Sequence, residues 1–352
     1  MPEVYNIFLL ASGTNGRLDP VPATYGSFLV GKKGTVNFGL ESAAGEFTSV
    51  IGGGFANTNY AENSVIAGGC MNCIEACSSV VGGGTQNTIA GGGWQYNFIG
   101  GGSVNRIEAV SVGIIVGGYN NCITLGANQA IIVGGGANYG LGVASAILNG
   151  NSSITNGCYS VILNGVYNYA NGAFSLIGNG CFNVPYGCYS SIINGYQNRI
   201  GDWNIPVGCY SSIINGSGNC LVANSSAIIN GYNNSIFSLS GISNSTIIGG
   251  INNSITDSYS IIMGGSGNIA SGIYSFIGNG ERNCALANYS SILAGRRVSI
   301  SSGHSGSVVI SDSQDRSHIS YGAHTLTLDF ASGIFINPNI SNFSLNITGS
   351  LV

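Results

Sequence analysis

One short phrase keeps returning along this chain and limits what it can fold into. It reads SVIGGG from Ser49, SVIAGG from Ser64, SVVGGG from Ser79, SVILNG from Ser160, SSIING from Ser190 and Ser211, and SFIGNG from Ser275. Two adjacent apolar residues precede a Gly-Gly or Asn-Gly step each time. Aligned on that step, the pairs are Val50-Ile51, Val65-Ile66, Val80-Val81, Phe98-Ile99, Ile115-Val116, Ile132-Val133, Ile147-Leu148, Ile162-Leu163, Leu176-Ile177, Ile192-Ile193, Ile213-Ile214, Ile228-Ile229, Ile247-Ile248, Ile262-Met263, Phe276-Ile277 and Ile292-Leu293. They define about 16 coils of roughly 15 residues, within the solenoid range.

In most coils an Asn follows five or six residues after the second apolar position, as at Asn57, Asn72, Asn87, Asn105, Asn183, Asn198, Asn219, Asn234, Asn253, Asn268 and Asn283. Asn tolerates the left-handed region and hydrogen-bonds its own turn, so it suits a corner between short strands. A further apolar residue often comes next, for example Ile74, Ile89, Ile200 and Ile255. Each coil therefore reads as strand, Gly corner, Asn corner, second short strand. A helix is disfavoured, because each interior Gly costs a helix about 1 kcal/mol.

Composition agrees with this reading. Of 352 residues, 58 are Gly, 44 % are hydrophobic and only 6 % are charged. Disorder calls for more charge and fewer β-branched residues, and collagen needs a Gly-X-Y period and far more Pro than the 6 present. With 9 Lys+Arg and a net charge of −4, the chain offers no basic stripe for nucleic acid. The N-terminal MPEVYNIFLLASG lacks a positive n-region, so a secretory signal is not expected. No apolar run approaches the ~20 residues of a membrane helix.

The doubled apolar column predicts more than a fold. Neighbouring residues on a strand point to opposite faces, so if one member of each pair fills the coil, the other faces outward. A stripe of Ile, Val, Leu and Phe along the whole rod is too large to leave in water. Its simplest cover is the same stripe on sister chains around a common axis. The alternative is a flattened coil that holds both columns in its own core.

Little in the sequence points to chemistry. The 10 Cys fall on repeat positions and read as reduced thiols that behave as small buried hydrophobes. Cys70, Cys73 and Cys77 are too few for a structural zinc without a nearby His, so no metal and no cofactor is expected. Glycosidase chemistry needs two positioned carboxylates, whereas Asp202, Asp257, Glu281, Asp312, Asp315 and Asp329 are mostly isolated. No catalytic residue is assigned and the chain is not expected to be an enzyme. Tyr159, Tyr189, Tyr210, Tyr259, Tyr274 and Tyr289 recur just before the first-strand Ser. They read either as a ladder of sugar platforms or as packing between coils. Trp94 in GGGWQYN and Trp203 in GDWNIP lie in irregular insertions, where ligand sites gather. The candidate ligand-binding residues are thus Trp94, Trp203, Tyr189 and Tyr210.

The recurring Ser-x-Ile-x-Gly-Gly, with a later Asn and a Tyr-Ser or Cys-Tyr-Ser lead-in, resembles the head repeats of YadA-like trimeric adhesins over residues 49–300. The closest versions occur in bacteriophage and large-virus tail fibres. This resemblance implies a left-handed β-roll and a parallel homotrimer. SVVISDSQDRSHISYGAHTLTLDFASGIFI, from Ser307, is similar to the segment before the self-cleaving intramolecular chaperone of phage tail spikes. That likeness implies a chaperone cleaved after Val352, a longer parent chain, or a member without one.

The expectations are therefore an all-β, parallel β-solenoid in a homotrimeric fibre, with three parts. Residues 1–48 form an attachment module to a virion tail or baseplate protein, 49–303 the rod, and 304–352 a β-rich trimeric tip. Val50, Ile51, Val65, Ile66, Ile192, Ile193, Ile213, Ile214, Ile228 and Ile229 supply core and trimer columns. The expected role is a virion fibre, assembled in host cytoplasm and then extracellular, that attaches to a host-surface glycan or protein. No membrane insertion is expected. A passive filament or capsid decoration, or a cellular adhesin, are the alternatives.

Overall fold

The computed structural model describes residues 29–30, 36–45, 48–91, 95–108, 111–204, 207–238, 243–314 and 318–334. Among them every regular element is a β-strand, most only two residues long. The strands stack into a parallel β-solenoid of about 18 turns with ~15-residue repeats. One 20-stranded sheet collects the first strand of each turn. Two 9-stranded sheets share the second strands, one from Ala43–Ala44 to Tyr169–Ala170 and the next from Val184–Pro185 to His318–Ile319. Pairing is parallel throughout, except where Leu29–Val30 meets Val36–Asn37 antiparallel.

Register is in step from coil to coil. Ile51 pairs with Ile66 and Ile66 with Val81, and the column continues through Ile213, Ile228, Ile247 and Ile292 to Val309. Taken from this buried residue, most coils obey one formula: a Ser two residues before, replaced by Asn97, Gly113 and Ala130 in three coils, an Asn six after, and a second inward residue eight after. In one coil these are Ser211, Ile213, Asn219 and Leu221, none more than 2 % exposed. The core is thus two apolar ladders flanked by two polar ones.

The Asn ladder is possible because its amides bond from coil to coil. The Asn219 main-chain N–H donates to Asn198 Oδ1 at 3.1 Å, and its Nδ2 donates to Gly231 O at 3.1 Å. A buried amide left unpaired costs about 1–3 kcal/mol, so the column must be nearly continuous. It is, with Ser153 and Val298 the substitutes between Asn57 and Asn283 or just after it.

The left-handed corner differs from the sequence expectation. That expectation puts Asn itself in the left-handed region, but the left-handed residue is the one before it, as at Met71 (φ 56) and Gln197 (φ 54). This residue turns the following Asn inward and reverses its own N–H. Met71 N–H donates back to Phe55 O, whereas Cys73 N–H donates forward to Asn87 O, both at 2.9 Å. The Gly three residues after the buried Ile, present from Gly54 through Gly295, has a steric cause. At Gly69 (φ +94) a Cβ would lie 2.2 Å from Gly84 O of the next coil.

The stack also extends beyond the span of the recognisable phrase. Val36–Asn37 already pairs with Val50–Ile51. At the far end Val308–Ser311 pairs with Ser291–Ala294, and Leu326–Asp329 with Val308–Ser311. Neither a boundary at 48/49 nor one at 303/304 coincides with a break in the sheet. These outer coils lack the Gly-Gly or Asn-Gly step, so a pattern built on that step passes over them.

Candidate functional site

The outward surface of the 20-stranded sheet follows from strand alternation. Residues one before and one after the buried Ile both face away from the core. The sequence pairs therefore come in two phases. In Val50-Ile51, Val65-Ile66, Val80-Val81, Phe98-Ile99, Leu176-Ile177 and Phe276-Ile277 the buried member is second. In Ile192-Ile193, Ile213-Ile214 and Ile228-Ile229, as in most other pairs, it is first. Ile51, Ile66, Ile192, Ile213 and Ile228 are 0 % exposed, whereas Ile193 is 44 % exposed. Val116, Val133, Leu148, Leu163, Ile214, Ile248, Met263 and Leu293 are similarly exposed, and Val50, Val65 and Ile229 are half-buried. An apolar stripe thus runs along the outside of a single chain.

Beside this stripe lies the Asn-Gly corner. Asn149, Asn164, Asn179, Asn194, Asn215 and Asn230 lie on successive coils, and all six are exposed. An open groove of ≈ 650 Å³ follows this corner, with Asn194, Asn215, Asn230, Tyr196 and Tyr232 along it.

The Tyr column occupies the left-handed position three residues before the buried Ile. Tyr159, Phe174, Tyr189 and Tyr210 have φ of 54–58°, a conformation that costs an L-residue roughly 1–2 kcal/mol. The backbone gains N–H bonds to the preceding coil, such as Tyr210 N–H to Cys188 O at 3.0 Å. The rings gain stacking, with centroids 4.8, 4.7 and 5.1 Å apart along the four residues and planes within 3°. Tyr259, Tyr274 and Tyr289 form a second stack at 4.7 and 5.1 Å. Such stacking covers both faces of Tyr189, so a sugar ring has only its edge to meet. Tyr210 ends its stack, is 67 % exposed and is followed in the column by Ser225, which leaves one face open.

Trp203 is 74 % exposed on the insertion after Ile200. Its aromatic neighbour is Tyr186, in edge contact at 6.1 Å, and not the Tyr210 stack. The loop leaves and re-enters the coil through a narrow neck. A Cβ on Gly208 would fall 2.7 Å from Gly201 N and 2.8 Å from Gly201 Cα, so the chain closes there only with glycine. Arg199 and Asp202 pair across its first turn at 3.4 Å. Trp94 and Asp315 lie outside the described residues.

Several of the carboxylates singled out in the sequence have partners in the fold. Glu281 meets Arg296 at 3.1 Å and Arg282 at 3.6 Å. Asp312 accepts from the N–H groups of Gln314 and Ala331 at 3.0 and 2.6 Å, and Asp257 from Ser258 at 2.8 Å. Among the described residues no group of three His, Cys, Asp or Glu is placed to hold a metal ion. All 10 Cys are free thiols, yet none is buried as a core residue: Cys158 is exposed and the others are half-buried. They occupy outward repeat positions, which corrects their reading as small core hydrophobes.

Sequence reasoning missed Phe174 and Tyr186. Phe174 was detectable, since it stands where the Tyr column requires a residue. Tyr186 has no repeat signal, and only the loop's path brings it to Trp203. It also missed a second aromatic column, where Tyr167 stacks on Phe182 at 5.0 Å. No protein-family model matches the chain, and no curated protein is significantly similar to it.

Proposed function

We propose that this chain is the rod of a parallel homotrimeric fibre on a virus or phage particle, and that the fibre attaches to the host surface as a tail fibre or receptor-binding protein. The outward apolar stripe carries this reading. It persists from coil to coil, where a chain working alone in water would place polar residues. Coil-by-coil register favours parallel association, because identical outward columns then meet at the same height. The number three and the virion setting rest on the resemblance to trimeric adhesin heads and tail fibres. Attachment would use the surface left outside the oligomer, with Trp203 and the open face of Tyr210 as exposed aromatic contacts.

A passive filament or decoration protein is the second reading. The aromatic stack favours it, since rings that cover each other serve coil cohesion first. Immunolabelling of purified virions with antibody to the rod tests the first reading, and binding to a glycan panel separates the two. Label on virions with saturable glycan or host-cell binding supports attachment. Label without binding supports the filament, and a chain found only on cell envelopes contradicts both. An N-terminal attachment role would fall to residues before Leu29, because Leu29–Val30 already pairs with Val36–Asn37 of the sheet.

A further inference from the structure

Two thiols meet on neighbouring coils at the base of the Trp203 loop, and we propose that Cys188 and Cys209 form an intrachain disulfide when the rod passes from a reducing to an oxidising medium. The column that holds them lies just before the left-handed aromatic residue. Backbone bonds fix its order, with Phe174 N–H on Cys158 O, Tyr189 N–H on Ala173 O, Tyr210 N–H on Cys188 O and Ser225 N–H on Cys209 O. Cys188 and Cys209 are therefore adjacent, whereas Cys158 is separated from Cys188 by Ala173. In the other columns each Cys has different neighbours: Cys73 faces Thr58 and Thr88, Cys122 faces Arg106 and Tyr139, and Cys220 faces Arg199 and Ser235.

Stacked coils advance about 4.8 Å, inside the 4.4–6.8 Å separation of Cα atoms that a disulfide spans. Both residues are half-buried, so a small oxidant reaches them. Burial pushes the Cys209 thiol up from its ordinary value, and Cys188 is the group that acts on it next. The bridge would close the long step that carries the loop, immediately after its Gly201–Gly208 neck. It would thus hold the base of the Trp203 loop covalently.

The oxidant is a low-molecular-weight disulfide of the glutathione class. One protein thiolate attacks it, forming a mixed disulfide and releasing one thiolate. The second protein thiolate then attacks the mixed disulfide at the protein sulfur and releases the other. Two protons leave the cysteines and two electrons reduce the oxidant, giving two small thiols. The proposal does not depend on attachment or oligomer number.

Full-length protein, fully reduced and then incubated with oxidised glutathione, is alkylated, digested and mapped without reduction. The expected result is a linked peptide joining Cys188 to Cys209 within one chain. Cys158 is expected alkylated or glutathionylated. Cys188→Ser removes the link and leaves Cys209 singly modified; the rod tolerates it, since Ser243 and Ser258 occupy the same column. Cys188 and Cys209 both modified singly in the unmutated protein, or bridged to other cysteines or between chains, would overturn the proposal. If the variant fails to fold, the map of the unmutated protein still decides.

Discussion

The coils around residues 50–101 and those around residues 191–230 share an interior and differ outside. Ile51, Ile66, Ile192 and Ile213 are all fully buried, and Asn57, Asn72, Asn198 and Asn219 all line the polar ladder. On the outer face the early coils carry Val50, Val65 and Val80 before the buried residue and Gly52, Ala67 and Gly82 after it. The later coils reverse this, with Ser191, Ser212 and Ala227 before, and Ile193, Ile214 and Ile229 after. The apolar stripe therefore steps sideways by two residues while the core stays in place. Corner chemistry changes with it, from Gly53, Gly68 and Gly83 to Asn194, Asn215 and Asn230. The difference separates two demands: stacking fixes the inner positions in every coil, and whatever covers the outer face selects the rest.

If that separation holds, inner substitutions act alike in both regions and cost most. Ile66→Asp and Ile213→Asp each bury an unpaired charge, at about 4 kcal/mol or more. Soluble folded rod, followed by circular dichroism, should be lost in both. Survival of either variant with unchanged melting would contradict the shared interior.

Outer substitutions should damage association before the fold. Ile193→Asp in the later coils and Val65→Asp in the early ones remove burial of about 1.5–3 kcal/mol per chain and place a charge in the interface. Oligomer recovery should fall although Ile193 is 44 % exposed in one chain. Normal oligomer with unchanged melting would remove the residue from the interface.

Smaller effects sharpen the account of the polar ladder. Asn219→Ala should destabilise by about 1–3 kcal/mol, seen as a lower melting temperature, because Gly231 O and Asn198 Oδ1 lose its side-chain amide. Ser153→Asn should do the opposite, by about 1 kcal/mol. There the Asn168 N–H reaches Ser153 Oγ at 3.4 Å, against 3.0 Å for Asn183 N–H on Asn168 Oδ1.

Tyr189 tests the outer stack. Tyr189→Ala loses about 0.5–1.5 kcal/mol of ring contact while keeping a strained φ of 54°. Tyr189→Gly loses the same contact and relieves the φ, so it should melt above the Ala variant. The reverse order would refute the strain.

Alkaline pH gives the weakest effect. Burial, then the Glu108 carboxylate, pushes the Cys122 thiol up to about 11 from its ordinary 9.0, with Arg106 opposing. The folded chain holds this proton more tightly than the unfolded one, so its stabilising share is complete below pH 9.0 and lost as pH rises through about 11. Cys122→Ser should flatten thermal stability across that window.

Much of this was legible in the sequence, for a definite reason. A solenoid repeats its contacts, so the periodic Ile and Gly declare the coil on their own. Alignment on the Gly step nevertheless blurred the phase. Because an outer apolar residue falls on either side of the buried Ile, the Asn seemed to vary by one place and Asn121, Asn138 and Asn168 went unassigned. Measured from the buried Ile, the interval is six in each of these coils. The left-handed corner was invisible because its occupants, from Ala56 to Arg282, share no side-chain chemistry. At the candidate site the Tyr column was readable but its face-to-face stacking was not, since that depends on coil rise and ring orientation.

The central claim is that the outward stripe is covered by sister chains. Multi-angle light scattering of the full chain at low micromolar concentration in native buffer tests it most directly. The account predicts a homotrimer with no appreciable folded monomer; a dimer or hexamer would change only the number. A compact, stable monomer would contradict the claim.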